Sequence, residues 1–169
     1  MSLERLWAGW RTAYVSSAGE EGPDEGGCVF CRILNSGEPD DVTKVVWRGD
    51  HVVAILNAYP YTSGHLMVMP IRHVGEIEEL DAAETAELWP AVTDGVRALK
   101  GAYRPGGVNV GANLGRAAGA GVPGHCHVHA VPRWNGDTNF MTSIAEARVL
   151  PETLDVTWTK LRDAWPVSS

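Results

Sequence analysis

Histidine occupies every second position of His125-Cys126-His127-Val128-His129, and the run continues as Ala130-Val131-Pro132. Such alternation has the period of an extended strand, whose successive side chains point to opposite faces. Residues 125–133 are therefore expected to form a strand, with three imidazoles in a row about 6.6 Å apart on one face. Cys126, Val128 and Ala130 would then face a core. Each imidazole brings polar nitrogens that need partners when buried, so packing alone is a poor account of three in register. Two chemistries use such a row. One is a metal held by alternating histidines. The other is nucleophilic catalysis, in which one imidazole attacks phosphorus while its neighbours bind charge. Histidine suits the second because its ordinary pKa, about 6.5, leaves a nucleophilic nitrogen near neutral pH.

The stretch before the row, 111–124, reads as a loop carrying Asn113, Gly115, Gly119, Gly121 and Gly124. Glycines leave backbone N–H groups open to an approaching phosphate, which favours the nucleophilic reading. Upstream, 42–47 and 51–56 read as strands of a hairpin turned by Arg48-Gly49-Asp50. A turn-rich segment, 57–64, leads to a third strand over 65–69, stopped by Pro70. Asp81, with Glu84 three residues on, is a capping box that opens a helix of about twenty residues. Leu80, Leu88, Val92, Val96 and Leu99 fit its buried stripe. A fourth strand begins at 106–110, the histidine-bearing strand is the fifth, and a last helix is expected over 152–165. Strands joined by short turns and interrupted by one long helix predict an α+β domain with a mainly antiparallel sheet.

A chain of 169 residues suits one domain. Leu3, Leu6, Trp7 and Trp10 fall on one face of a short helix, and the glycine-rich, acidic stretch 16–27 reads as a linker. Residues 1–27 are thus expected as an arm and linker, and 28–169 as the folded domain. A net charge of −7 disfavours nucleic acid and anionic membranes as partners. The chain carries no apolar run of signal-peptide or membrane-span length, so a cytoplasmic location is expected. Three cysteines are an odd number and suit reduced thiols better than a disulfide framework. Two of them form the C-x-x-C pair Cys28 and Cys31. A redox pair, inert thiols and a metal site are the possible readings; a thioredoxin-like pair would want a strand-helix-strand context that is missing here.

From Cys28 to about Pro132 the chain resembles the histidine triad (HIT) family of nucleotide hydrolases and transferases. The resemblance rests on the His-x-His-x-His signature, the Asn57 loop, Gly64-His65-Leu66-Met67-Val68-Met69-Pro70 and the Asn113 loop. Residues 6–11 and 132–140 further resemble the bacterial branch that contains diadenosine tetraphosphate phosphorylases. The resemblance implies a HIT-like fold, five strands with a long helix and a C-terminal helix, in a homodimer paired edge to edge. It implies that His127 attacks the α-phosphorus and carries AMP while His129 contacts phosphate oxygens. Asn113 and the loop at Ala120 and Gly121 would hold the phosphate, and Asn57 the ribose. It also implies a structural zinc on Cys28, Cys31, His73 and His125, a donor set sufficient for a closed tetrahedral site. In one place the chain departs from the related phosphorylases: Gly121 stands where they carry serine, and Ala120 where they have a neighbouring glycine.

The expected function is nucleotidyl transfer or hydrolysis on a dinucleoside polyphosphate or related adenine nucleotide, through a covalent AMP-histidine. Inorganic phosphate is the acceptor in a phosphorylase. Water is the acceptor in a hydrolase of dinucleoside polyphosphates or adenosine phosphoramidates. Two other classes remain open: a catalytic zinc enzyme using all three triad histidines, and a zinc-braced binding module without turnover. His51 and His65 read as structural, Trp134 as a core anchor or pocket wall, and Arg133 as a phosphate contact or a solvated charge.

Overall fold

The computed structural model describes residues 27–137 and 152–166. The expected arm and linker up to Gly26, and the last residues of the 132–140 motif, lie outside them. A short helix α1 (Val29–Leu34) and a single turn α2 (Asp40–Thr43) precede the strands β1 (Val45–Arg48), β2 (Val52–Leu56) and β3 (Leu66–Pro70). A long helix α3 (Ala82–Tyr103), strands β4 (Gly107–Ala112) and β5 (Val128–Arg133), and helix α4 (Leu154–Ala164) complete the fold. The strands form one antiparallel sheet in the order β1-β2-β3-β5-β4, as the α+β expectation requires.

All five expected strands start late, the fourth at Gly107. Residues 42–44 are not strand: Pro39 precedes a helical turn with Asp40 and Asp41 in its first turn, where acids favour the N-terminus. Lys44, at φ 63°, ends that turn before β1 begins. Val42 is 58% exposed on the turn, so its β-branched side chain misled the sequence pattern. His51 and His65 each precede their strands. The triad strand begins at Val128 rather than His125. The β3–β5 register sets Cys126 opposite Pro70, which has no N–H for the ladder. Cys126 N–H donates instead to Val74 O at 2.6 Å.

Helix α3 starts where the capping box places it, with the Asp81 side chain accepting from Glu84 N–H and the Glu84 carboxylate from Asp81 N–H. Leu88, Ala91, Val92, Ala98 and Leu99 of α3 pack with Leu161 of α4 on one face of the sheet, against Val52, Ala54, Leu66, Val68, Val128 and Ala130. Val96, expected in the buried stripe, is only half-buried. At Gly95 an added Cβ would lie 2.7 Å from Leu66 Cδ2, so helix and sheet approach more closely than any side chain would permit. Trp158 Nε1–H donates to Val45 O at 2.7 Å, and Trp165 stacks on Trp47. The opposite face carries Val45, Val53, Ile55, Met67 and Met69 under Cys28 and Phe30. Met67 and Gly111 are the register partners of His129, which places that histidine on the second face, away from the two long helices.

Candidate active site and metal cluster

His127 is 6% exposed. Its Nδ1 lies 2.7 Å from the carbonyl oxygen of His125, which can only accept, so this nitrogen carries the proton. The proton on Nδ1 leaves Nε2 of the neutral ring with a free lone pair. Burial lowers the pKa of His127, against the opposing hydrogen bond to His125, so the ring stays uncharged at neutral pH. Phe30 packs edge-on against both His125 and His127, walling the segment from α1.

His129 lies next in line, its ring 4.8 Å from that of His127 and at 80° to it. Its Nδ1 is 2.9 Å from Nε2 of His65. Tyr61 N–H donates to Nδ1 of His65 at 3.1 Å, so His65 carries its proton on Nε2 and gives that hydrogen bond to His129. His129 is thereby left with its own proton on Nε2, a donor. Burial, with the neighbouring His127, pushes the pKa of His129 down to about 4. The pair is thus a bare nitrogen beside an N–H, the arrangement needed to attack a phosphorus while binding one of its oxygens.

Reading His65 as merely structural missed this role. It is 1% exposed and its ring is 5.1 Å from that of His129. The signal lay in the period of β3, since His65 shares the face of Met67, but only the pairing of β3 with β5 shows what is on that face. Asn57, expected at the ribose, sits beside this couple: its Nδ2 is 3.4 Å from His65 Nδ1, and its Oδ1 accepts from Tyr59 N–H at 2.9 Å. Asn113 Nδ2 donates to Gly119 O at 3.4 Å. Within the glycine loop, N–H groups of Ala118 and Ala120 donate to Gly115 O and that of Gly119 to Arg116 O, so much of the loop's donor set closes its own turn. Ala120 is buried and Gly121 exposed. His51 is exposed, and its N–H is held by the Glu87 carboxylate. Trp134 packs edge-on against Tyr103 of α3, not in the triad row. Arg133 is engaged by both carboxylate oxygens of Asp137 and by Asn109, which assigns it to the turn after β5.

At the other end of the row His125 turns away. Its Nε2–H donates to Pro70 O at 2.8 Å, so Nδ1 is the bare nitrogen. That nitrogen lies 3.3 Å from Cys28 Sγ and 3.7 Å from Cys31 Sγ, and His73 Nδ1 lies 3.4 Å from Cys31 Sγ. A tetrahedral zinc with bonds of about 2.3 Å to sulfur and 2.0 Å to nitrogen sets such ligands about 3.6 Å apart. All four ligand atoms fall within 4.8 Å of one another, and the tautomer of His125 presents the correct nitrogen. The donor set fits a structural zinc. Among the described residues it is the one His, Cys and acid cluster with this spacing. Both nitrogens of His125 are turned away from the other two rings, one to the cysteines and one to Pro70 O, and His127 and His129 are not part of the cluster, so the three triad rings do not gather on a shared metal.

A HIT domain profile matches residues 38–136, more than half of the chain. Over 167 residues the chain is 41% identical to the AP-4-A phosphorylase of Mycobacterium tuberculosis, spanning 96% of this chain and 85% of that one. A HIT-like protein of Methanocaldococcus jannaschii is 36% identical over 65% of this chain and 81% of its own length. Among solved structures, a zinc-bound histidine triad family protein from Mycobacterium smegmatis superposes with a TM-score of 0.65 at 28% identity, covering 82% of this chain and 92% of that one. A histidine triad nucleotide-binding protein from Sulfolobus tokodaii gives 0.66 at 30% identity, covering 81% and 91%. No helix among the described residues is long and apolar enough to cross a membrane. With the signature histidines, the five-stranded sheet and these similarities in agreement, the chain belongs to the histidine triad (HIT) family.

Proposed function

We propose that this protein is a nucleotidyl transferase that cleaves dinucleoside polyphosphates, in the manner of an AP-4-A phosphorylase, through AMP held covalently on His127. The observation that carries the reading is the pairing of a buried, uncharged His127 with its Nε2 bare and a neighbouring His129 with its Nε2 protonated. The similarity to the M. tuberculosis phosphorylase over 96% of the chain supports the substrate class.

In the first step the Nε2 lone pair attacks the α-phosphorus. A nitrogen–phosphorus bond forms, the bond to the bridging oxygen breaks, and its electron pair leaves with the remaining nucleotide. His129 Nε2–H donates to an oxygen of the α-phosphate, and the His125 carbonyl keeps the Nδ1 proton of His127 in place as the ring acquires positive charge. In the second step an oxygen of inorganic phosphate, or of water, attacks the same phosphorus and His127 leaves as the neutral ring. Asn57 binds the ribose, and Asn113 with the backbone at Ala120 and Gly121 binds phosphate. Lacking a serine hydroxyl at Gly121, the loop relies on backbone donors for the leaving oxygen. Zinc on Cys28, Cys31, His73 and His125 supplies a closed structural brace and ties the start of α1 to the sheet. The open edge strand β4, with Asn109, Val110 and Gly111 exposed, suits the expected edge-to-edge homodimer.

The test is to quench the enzyme with α-labelled diadenosine tetraphosphate in alkali, where phosphohistidine bonds last longest. Label should remain on wild-type protein and be absent from His127→Ala, whose turnover should fall about 10⁴-fold or more. Full activity in His127→Ala, or label persisting on it, would overturn the reading. Supplying phosphate and identifying ADP or AMP as product distinguishes phosphorolysis from hydrolysis.

A further inference from the structure

The couple that orients the phosphate-contacting histidine is itself covered by a third aromatic ring. The ring of Tyr61 lies 4.6 Å from that of His65 at 43°, and 6.2 Å from that of His129 at 29°. Its backbone N–H is the donor that sets the His65 tautomer. His65 retains 1% exposure and Tyr61 44%, so the tyrosine lies on the solvent side of the His65 ring, while His129 is half-buried. A hydrogen bond between two neutral imidazoles holds one arrangement of protons only while water does not compete for either nitrogen.

We propose that Tyr61 is a positioning residue of the transfer reaction, whose ring keeps the His65–His129 hydrogen bond dry and His129 in the single tautomer that offers Nε2–H to the phosphate. The role of His129 rests on the nucleotidyl-transfer reading, but its tautomer is a property of the free protein. Among the described residues, the titratable groups packed on His129 are His127 from its own segment and His65 and Tyr61 from the loop before β3. On the other side β4 opposes it with Gly111, which has no side chain. Among the described residues, the ring contacts on this couple from outside the triad strand come from the loop before β3.

The experiment uses the full chain labelled with ¹⁵N-histidine, and long-range ¹H–¹⁵N correlation at pH 7. Wild type and Tyr61→Phe should show His129 with a bare Nδ1 and a protonated Nε2, while Tyr61→Ala should show the two nitrogens averaged. Tyr61→Ala should also lose about tenfold in kcat with a smaller change in KM, and Tyr61→Phe should stay within about twofold of wild type. Because Tyr61 is 44% exposed, truncating it opens no core cavity, and a thermal melt confirms that the variant is folded. An unchanged His129 tautomer in Tyr61→Ala overturns the proposal. So does a Tyr61→Phe variant as impaired as Tyr61→Ala, which would assign the role to the hydroxyl. Were wild type to turn over no dinucleotide, the transferase reading would fall, and the tautomer spectra would still decide whether the ring covers the couple.

Discussion

His65 Nε2 lies 2.9 Å from Nδ1 of His129, and through this bond one imidazole sets the proton position of another. Replacing His65 with phenylalanine keeps the bulk and removes this donor. Nδ1 of His129 then competes with Nε2 for the proton, so turnover should fall about 10- to 100-fold, the usual cost of losing an orienting partner. Steady-state kinetics with a melting control would show it, and unchanged kcat would remove His65 from the mechanism. Asn57 is held in its own turn by Tyr59 N–H, with one Oδ1 lone pair and one Nδ2 proton left for a ligand. Asn57→Ala should weaken nucleotide binding by about 1–3 kcal/mol, and less for 2′-deoxy substrates. Equal losses for ribose and deoxyribose would place Asn57 outside the ribose site. At this scale the triad histidines and the four metal donors could be read from spacing and family resemblance. His65 and Tyr61 could not, because their role depends on which strand β3 pairs with, and strand pairing leaves no mark in either segment.

Helix α3 shows how local rules predict an element. The Asp81–Glu84 capping box marks its first residue, and the same box opens a second interaction that no local rule reveals. Glu84, 3% exposed, receives Nε–H and Nη2–H bonds from Arg72 at 2.8 and 2.7 Å, which fasten the segment after β3 to the helix. The hydrogen bond from Arg72 holds the Glu84 carboxyl below its ordinary 4.5, with burial opposing. A carboxyl lowered on folding stabilises the native state above its unfolded pKa, and that contribution is lost as the pH falls below about 4.5 through the folded value. Without Arg72, burial disfavours the charged form and the acid-side loss should shrink or reverse. Thermal melts from pH 7 to 3.5 should therefore show Arg72→Met less stable than wild type at neutral pH, with the gap closing in acid. A gap independent of pH would mean that the pair does not couple to folding. The first three residues of the strand expected at 42–47 failed for a related reason: Asp40 and Asp41 behind Pro39 are strong helix-start signals, and they outweigh the β-preference of one exposed valine.

For the whole molecule, the strand order and the joining of distant segments matter most; the β1–β2 hairpin and, through the family resemblance, the four-donor set were expected, whereas the pairing of β3 with β5 was not. The four metal donors come from three places: Cys28 and Cys31 at α1, His73 after β3, and His125 before β5. Cys28 and His125 are 97 residues apart in the chain and 3.3 Å apart in space. An ion there would tie α1 to the sheet, and α1 brings Phe30 against His127. Metal bound only by the folded chain stabilises it by mass action, about 4 kcal/mol when free zinc is a thousand times the dissociation constant. For a domain of this size that corresponds to about 8–16 °C in Tm. Cys28→Ser should therefore lose bound zinc and melt lower by that order, and a strong chelator should bring wild type toward the same Tm while leaving the variant unmoved. His127→Ala should keep its zinc and its melting temperature, since that residue is not one of the four clustered donors. Elemental analysis and calorimetry on the three proteins decide the matter. Zinc retained by Cys28→Ser, or lost from His127→Ala, would show that the metal sits on the triad and not on the cysteine pair, and the bare Nε2 of His127 would then be a ligand instead of a nucleophile.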